Sequence, residues 1–442
     1  NSTCRFLLTG PVPGFYEGLG ADPCQTALDI AEDLEACGAR HLAVELLRHL
    51  PEPCAQTEYV RWYLSEDPDA LINARRLGTG IAYPSRLLEY RAMQAAAEKA
   101  PADDVVRGLL ACLLYHHGNH AEAESLWEQA SSVAPDQYIH LRNMAVARYS
   151  HLNRREEALP LLDSALKLRP GDGQLIWEKA WVMFHTHRQP AEIVAFLRGV
   201  ASSREDIMLE LCQALNLSGQ YQEALQVLKR DRFTPCEGGE HAVAEQYMFA
   251  QHALGRRALS EGRPEVALEH FRLAQTLPDN LGAGLWNDVL LVPHRYYEAL
   301  SLLQLDRSED AVLLLDWMLM LKQDDFTDMY LPELPCWQAM AEKLLSREAP
   351  ARERIAAHLR AQEAAETVID PGYRKTTPFF ISYMEDARTQ RQAIIAWQRA
   401  MAHLAAGDTE KASRLAARSL ELDPVNLYAT LLANGIPLTF SA

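Results

Sequence analysis

The sequence predicts an all-α protein, built as a right-handed α-solenoid in which short helix pairs stack into a superhelix. Three observations support this fold class. Alanine and glycine recur with a period of about 34 residues, which is typical of a repeated helix pair. Prolines close several of the repeated segments. Apolar residues make up 48% of the 442 residues, which is the composition of an ordinary globular protein with a buried core.

The clearest repeat runs from residue 110 to residue 135. Its pattern is carried by Ala111, Gly118, Ala123, Trp127, Ala130 and Pro135. These offsets match the tetratricopeptide repeat, a helix pair with small residues where its two helices cross. Six further copies are recognisable, around Ala43, Ala158, Ala224, Ala267, Ala311 and Ala412. Glycines between the paired helices, at Gly118, Gly219, Gly262 and Gly407, are expected to take the left-handed conformation that ends a helix.

Three stretches interrupt the period: residues 51–100, 174–203 and 323–392. We therefore predict an N-terminal extended segment over 1–23 and a repeat solenoid over 24–322, with an irregular segment at 51–100. An irregular helical insertion follows over 323–392, and a C-terminal repeat and cap over 393–442. Five prolines punctuate the insertion, and residues 376–381 are expected to be extended.

Charge and termini restrict the partners and the location. The 43 basic and 60 acidic residues give a net charge of −17, which argues against a nucleic acid or an anionic membrane as partner. No secretion signal is visible, so a cytoplasmic location is expected. The eight cysteines form no CxxC pair, and most are expected to be buried thiols. The chain begins with Asn1, which suggests a piece of a longer protein.

Motifs for common chemistry are missing from the sequence. There is no nucleotide-binding glycine loop, no HExxH and no GxSxG. His116, His117 and His120 are close in sequence but lack an acidic or cysteine neighbour at ligand spacing, so they are interpreted as residues of a solvent-facing turn. We therefore predict no catalytic residue, no metal site and no cofactor.

Two loops are the main candidates for binding. The first contains Glu237, Gly238, Gly239 and Glu240. Its glycines would let a ligand approach the backbone, and paired carboxylates about 5 to 10 Å apart serve glycoside hydrolysis; a solvated turn explains the same residues. The second loop contains Asn280 and Gly282, and Trp286 beside it is a candidate for stacking on a sugar.

Several sequence blocks resemble one bacterial family. They lie at residues 23–31, 83–89, 142–143, 232–240, 278–282 and 379–391. Together they are similar, over nearly the whole chain, to the C-terminal tetratricopeptide region of large bacterial proteins of unknown function. Those proteins carry an upstream β-sandwich region that resembles galactose mutarotases. The family's tryptophan in one block is Cys236 here, so any ligand stacking at that position is weakened or lost.

The resemblance implies a protein partner, either an upstream β-rich domain or another chain, and an association with carbohydrate. The blocks add Arg86 and Asn143 to the candidate binding residues. Our first hypothesis is a non-catalytic repeat scaffold for protein interaction, with a carbohydrate as a further candidate ligand. The alternatives are a glycoside-acting enzyme that uses the loop carboxylates and a free-standing peptide-binding adaptor. An adaptor requires an open groove, which residues 323–392 would fill.

Overall fold

The structure is a computed structural model that describes residues 14–80, 84–200, 204–234, 240–285, 287–366 and 383–433. All regular secondary structure in these ranges is helical, and they contain no strand. The chain divides into two compact units, residues 1–170 and 171–442. The boundaries predicted from the sequence include none at residue 170.

The first unit contains nine α-helices in its described part, besides short 3₁₀ turns at Tyr16–Leu19 and Arg155–Glu157. They are α1 (Pro23–Ala36), α2 (Arg40–Arg48), α3 (Ala55–Ser65), α4 (Pro68–Leu77), α5 (Leu87–Lys99), α6 (Asp104–His116), α7 (His120–Val133), α8 (Tyr138–Ser150) and α9 (Ala158–Leu168). Each helix packs against the next one or two in the chain, as expected for stacked pairs.

The second unit continues the same organisation. Its helices are α10 (Gly173–His185), α11 (Pro190–Arg198), α12 (Glu205–Leu217), α13 (Tyr221–Arg230), α14 (Glu240–Ser260), α15 (Pro264–Leu273), α16 (Val292–Gln304), α17 (Ser308–Met320), α18 (Asp325–Tyr330), α19 (Leu334–Leu344), α20 (Glu348–Glu366), α21 (Ala387–Ala406), α22 (Thr409–Leu422) and α23 (Leu427–Ala433). Two 3₁₀ turns, Asp279–Leu281 and Asp288–Leu291, precede α16.

The repeat positions predicted from the sequence lie at the helix contacts. Six predicted crossing residues are completely buried: Ala123, Ala158, Ala224, Ala267, Ala311 and Ala412. The four predicted turn glycines, Gly118, Gly219, Gly262 and Gly407, have φ angles between 68° and 94°. These observations confirm the all-α repeat solenoid as the fold class, because small residues are needed where two helix axes approach closely.

Enlarging a crossing residue is expected to destabilise the fold. Ala267 on α15 is buried against α14, and the contact is already tight, because a Cβ added at Gly255 would lie 2.7 Å from the Phe271 ring. We expect Ala267→Leu to lower the free energy of unfolding by about 1 to 3 kcal/mol through overpacking. Thermal melts followed by circular dichroism test this. Glu265→Leu, an exposed change on the same helix, is the control, and equal melts for both variants would contradict the packing argument.

Residues 323–392, expected to be an irregular helical insertion, contain a further helix pair in their described part. The helices α19 and α20 pack on each other, and Ala351 is fully buried. Pro335 stands in the first turn of α19 and Pro350 is the third residue of α20, so these prolines begin helices instead of interrupting them. Ser346 takes the left-handed conformation, φ 58°, that glycine takes in other repeats. The predicted extended stretch 376–381 lies outside the described residues.

The last described helix, α23, returns to two early helices of the second unit. Besides packing on α22, it contacts α12 and α14. The ring of Tyr428 on α23 lies 5.3 Å from the ring of Phe249 and 5.4 Å from that of His252, both on α14. This contact therefore joins early helices of the unit to its last described helix.

Candidate functional site

The acidic loop lies mostly outside the described residues. Nothing is described for Glu237, Gly238 and Gly239, and Glu240 is described only as the first residue of α14. The segment before this loop is anchored at Phe233. This residue is buried, and its backbone N–H donates a 2.8 Å hydrogen bond to the carbonyl oxygen of Asn280. The bases of the two candidate loops thus lie side by side.

Asn280 holds this arrangement together. Its side-chain amide donates to the carbonyl oxygens of Leu228 and Asp231, both at 2.7 Å, so both amide hydrogens are used within the protein. Gly282, with φ 63°, ends the 3₁₀ turn that contains Asn280. Trp286 lies outside the described residues. The amide of Asn280 therefore joins its own loop to the end of α13 and the residue after it, and its hydrogens are not available to a ligand without breaking this contact.

Arg86 joins α1 to α5 in the first unit. Its guanidinium donates to Asp29 Oδ1 at 2.6 Å, to Gln25 Oε1 at 2.8 Å and to the Gln25 carbonyl at 3.0 Å, and it pairs with Glu89 at 3.2 Å. The Glu89 carboxylate is fully buried and also accepts a 2.8 Å hydrogen bond from Gln56 Nε2. Arg86 is engaged in a structural network, since a buried carboxylate needs charge and hydrogen-bond partners.

Asn143 occupies a separate position on α8. Its Nδ2 atom lies 3.6 Å from the sulfur of Cys112, and its Oδ1 atom accepts from Arg142 at 3.2 Å. Arg86 and Asn143 belong to the first unit, whereas Asn280 and Gly282 belong to the second.

The histidines of residues 116–120 separate into two groups. His116 and His117 are exposed, whereas His120 stacks on His151 with a ring separation of 3.8 Å. Burial lowers the pKa of both stacked rings, and for His151 the neighbouring His120 lowers it further. In the described ranges, no group of three or more His, Cys, Asp and Glu side chains could hold a metal ion.

Several polar residues of α12 and α14 are buried in the second unit. Asn216 donates to the carbonyl and the side-chain oxygen of Gln246, at 3.0 and 2.9 Å. His252 and Arg256 on α14 are completely buried, and the Arg256 guanidinium lies 5.4 Å from the centre of the Tyr297 ring. The helix α23 accounts for part of this burial, because it packs on the same helices, α12 and α14.

His252 and His294 form a pair in this core, with 3.2 Å between their Nδ1 atoms. Burial lowers the pKa of His252 well below its usual range, and the neighbouring His294 and Arg256 lower it further. Burial alone lowers the pKa of His294 to about 3. Both rings are therefore neutral when the protein is folded at neutral pH. The sequence carried no signal for this pair, because the two histidines lie on different repeats.

An apolar stripe is exposed on α17. Leu313 and Met320 are each 71% exposed, and Trp317 lies between them at helical spacing on the same face. The guanidinium of Arg295 stacks over the Trp317 ring at 3.8 Å. We call Leu313, Trp317 and Met320 the α17 stripe. Trp317 is half-buried and also packs against the core of the second unit, so Leu313 and Met320 are the exposed part of the stripe.

The described helices show no membrane-spanning character: none is both long and apolar enough to cross a bilayer.

No protein-family model matches the sequence. Among solved structures, the chain is similar to YrrB, described as a tetratricopeptide protein with an unusual peptide-binding site, at 18% identity and a TM-score of 0.33, over 46% of this chain and 97% of that one. It is similar to Naa15/Naa10 bound to HypK-THB at 16% identity and a TM-score of 0.38, over 86% of this chain and 66% of that one. A tetratricopeptide repeat protein from Parabacteroides merdae matches at 14% identity and a TM-score of 0.30, over 63% and 98%. The helix pairs themselves define the class, an all-α repeat protein of tetratricopeptide type.

Proposed function

We propose that this chain is a non-catalytic repeat scaffold that mediates protein interaction, and that the α17 stripe is part of its contact surface. The observation that carries the proposal is the exposure of Leu313 and Met320 on one face of α17. Exposed apolar side chains grouped in this way are typical of protein contacts, and tryptophan and methionine are enriched there.

The positions of the two candidate loops along the chain favour one edge of the second unit as the contact surface. The second helices of successive repeats run in the same direction, so the C-terminal ends of α13, α15 and α17 share one edge. The acidic loop follows α13, the Asn280 loop follows α15, and Met320 ends α17.

We further propose that the partner is a β-rich domain of a larger, carbohydrate-associated bacterial protein, present in the same chain or in another. This proposal rests on the family resemblance of the sequence blocks. The peptide-adaptor alternative would need the faces of α12 and α14 on which α23 packs, so in the second unit a peptide would have to displace this helix. The glycoside-enzyme alternative rests on Glu237 and Glu240 and has no described geometry in its favour.

The contact surface is tested with the double variant Leu313→Asp/Met320→Asp. The natural full-length protein is crosslinked in its own cells, the partner segment is identified by mass spectrometry, and its affinity is measured by calorimetry. We expect a loss of affinity of about tenfold or more, because each apolar anchor at an interface contributes on the order of 1 kcal/mol.

The matched control is Ile72→Asp/Leu87→Asp, which changes two exposed apolar residues of the first unit. It should fold equally well and retain wild-type affinity. Crosslinks that avoid residues 230–320, or equal affinities for both double variants, would contradict the proposed surface. Hydrolysis of a glycoside by the chain, abolished in Glu240→Gln, would support the enzyme alternative instead.

A further inference from the structure

Arg295 on α16 is held in place beside the α17 stripe. Its guanidinium carbon lies 3.8 Å from the centre of the Trp317 ring, and its Nε atom donates a 3.2 Å hydrogen bond to Oε1 of Gln275. Gln275 is fixed in turn, because its Nε2 atom donates to Glu298 Oε2 at 2.7 Å and to the Phe271 carbonyl oxygen at 3.0 Å. The ring contacts the face of the guanidinium and Gln275 binds its edge, so the two contacts together orient the group.

The guanidinium of Arg295 keeps hydrogen-bond donors that the described part of the chain does not use. A guanidinium carries five N–H groups, and here the Nε–H donates to Gln275, whereas no described oxygen accepts from Nη1 or Nη2. No described carboxylate pairs with Arg295 either. Two neighbouring arginines differ in this respect, because they pair with acidic residues of α17: Arg307 with Asp310 at 2.5 Å, and Arg347 with Asp316 at 3.3 Å.

The unused donors of Arg295 belong to the same surface as the exposed apolar side chains. Leu313 and Met320 lie one helical turn on either side of Trp317, whose ring the guanidinium covers. A protein that covers Leu313 and Met320 therefore also removes water from Arg295. Charged N–H groups that lose water need new acceptors, since leaving them unpaired is costly. A carboxylate fits best, because it carries the opposite charge and accepts two parallel N–H groups.

We propose that the partner of the α17 stripe places an Asp or Glu carboxylate on the Arg295 guanidinium, between apolar side chains that cover Leu313 and Met320. This inference rests on the proposed function and adds the chemistry of the partner to it. The partner is a protein surface, because a small carboxylate would bind Arg295 and leave both apolar side chains in water. Trp317 and Gln275 are positioning residues, since they orient the guanidinium. The contact uses α16 and α17, and not the helices α12 and α14 on which α23 packs.

The variant Arg295→Lys tests for the carboxylate directly. The natural full-length protein with this change is produced in its own cells, and the extract is treated with a carbodiimide, which couples an amine to a carboxylate in contact with it. Mass spectrometry should find residue 295 linked to an Asp or Glu outside these 442 residues. Arg307→Lys is the control and should be linked to Asp310. The absence of a link from residue 295, or a link to a carboxylate of these 442 residues, would overturn the proposal.

Calorimetry with the crosslinked partner segment, made as an isolated peptide or domain, measures the size of the effect. We expect Arg295→Gln to bind about tenfold or more weakly, because charge-assisted hydrogen bonds are lost at a contact without water. Arg307→Gln removes the same charge from an arginine that already has a carboxylate, and it should bind like the wild type. Changing the linked acid of the partner to its amide should weaken wild-type binding equally and have no further effect on Arg295→Gln.

The two proposals fail in different ways. If Leu313→Asp/Met320→Asp loses affinity and Arg295→Gln does not, the carboxylate contact is overturned and the α17 stripe remains a contact surface. If neither variant loses affinity, the proposed function is overturned as well. Thermal melts of each variant verify that the chain is folded, and the carbodiimide experiment tests the carboxylate with the positive charge at residue 295 kept.

Discussion

Lowering the pH from 8 to 5 is expected to destabilise the second unit by about 4 kcal/mol, through His252 and His294 alone. The pKa of each ring is lowered in the folded protein and returns to about 6.5 on unfolding. Below that value the unfolded chain binds a proton at each histidine and the folded protein does not. The contribution of the two neutral rings to the free energy of unfolding is therefore fully present above pH 6.5. It is lost as the pH falls from 6.5 towards the pKa of the folded protein. At pH 5 each ring accounts for about 2 kcal/mol of the lost free energy of unfolding.

Urea unfolding at pH 8 and pH 5, followed by the fluorescence of the second unit's tryptophans, measures this effect. Between pH 8 and pH 5, the free energy of unfolding of His252→Gln/His294→Gln should fall by about 4 kcal/mol less than that of the wild type. The control is His116→Gln, at an exposed position of the first unit, which should keep the wild-type pH dependence. An identical pH dependence in the double variant would show that the two rings are protonated in the folded protein.

Removing the aromatic ring of Tyr428, which joins α23 to α14, is expected to change the free energy of unfolding by a similar amount. Tyr428 is surrounded by Phe249 and His252. Because Tyr428 is half-buried, we expect Tyr428→Ala to lower the free energy of unfolding by about 3 kcal/mol, at the low end for a large aromatic residue. Because the lost contacts are those between α23 and α14, proteolysis should also cut the C-terminal helix before the remaining repeats.

The conservative variant Tyr428→Phe keeps the ring and removes only the hydroxyl group. It should stay within about 1.5 kcal/mol of the wild type and resist the protease equally well. Calorimetry together with limited proteolysis separates the two variants. Equal stability of Tyr428→Ala and the wild type would mean that α23 contributes no closing contact.

The repeat architecture could be predicted from the sequence because its determinants are local. A buried alanine such as Ala267 and a left-handed glycine such as Gly262 act within one helix pair, so their spacing is visible along the chain. The α19/α20 pair was missed because Ser346 takes the place of the usual glycine and because prolines stand in the first turns of its helices.

The sites were harder to predict because they depend on long-range contacts. The composition of the Asn280 loop indicated a special role, but it could not show that the amide of Asn280 is bound to Leu228 and Asp231. The contact of Tyr428 with Phe249 joins residues from different repeats. A repeat pattern describes each pair and its neighbour, and it carries no information on such contacts.

The return of α23 to α12 and α14 has a consequence for how this unit can change. An open repeat array folds through nearest-neighbour contacts, and a repeat can be duplicated or lost with little effect on distant ones. Here the contact between Phe249 and Tyr428 raises the contact order, so we expect slower folding and a single cooperative transition for this unit. Inserting or deleting one helix pair between α15 and α21 would move α23 away from its contacts with α12 and α14. We therefore expect this unit to tolerate a change in its number of repeats poorly, because α23 must still reach α12 and α14.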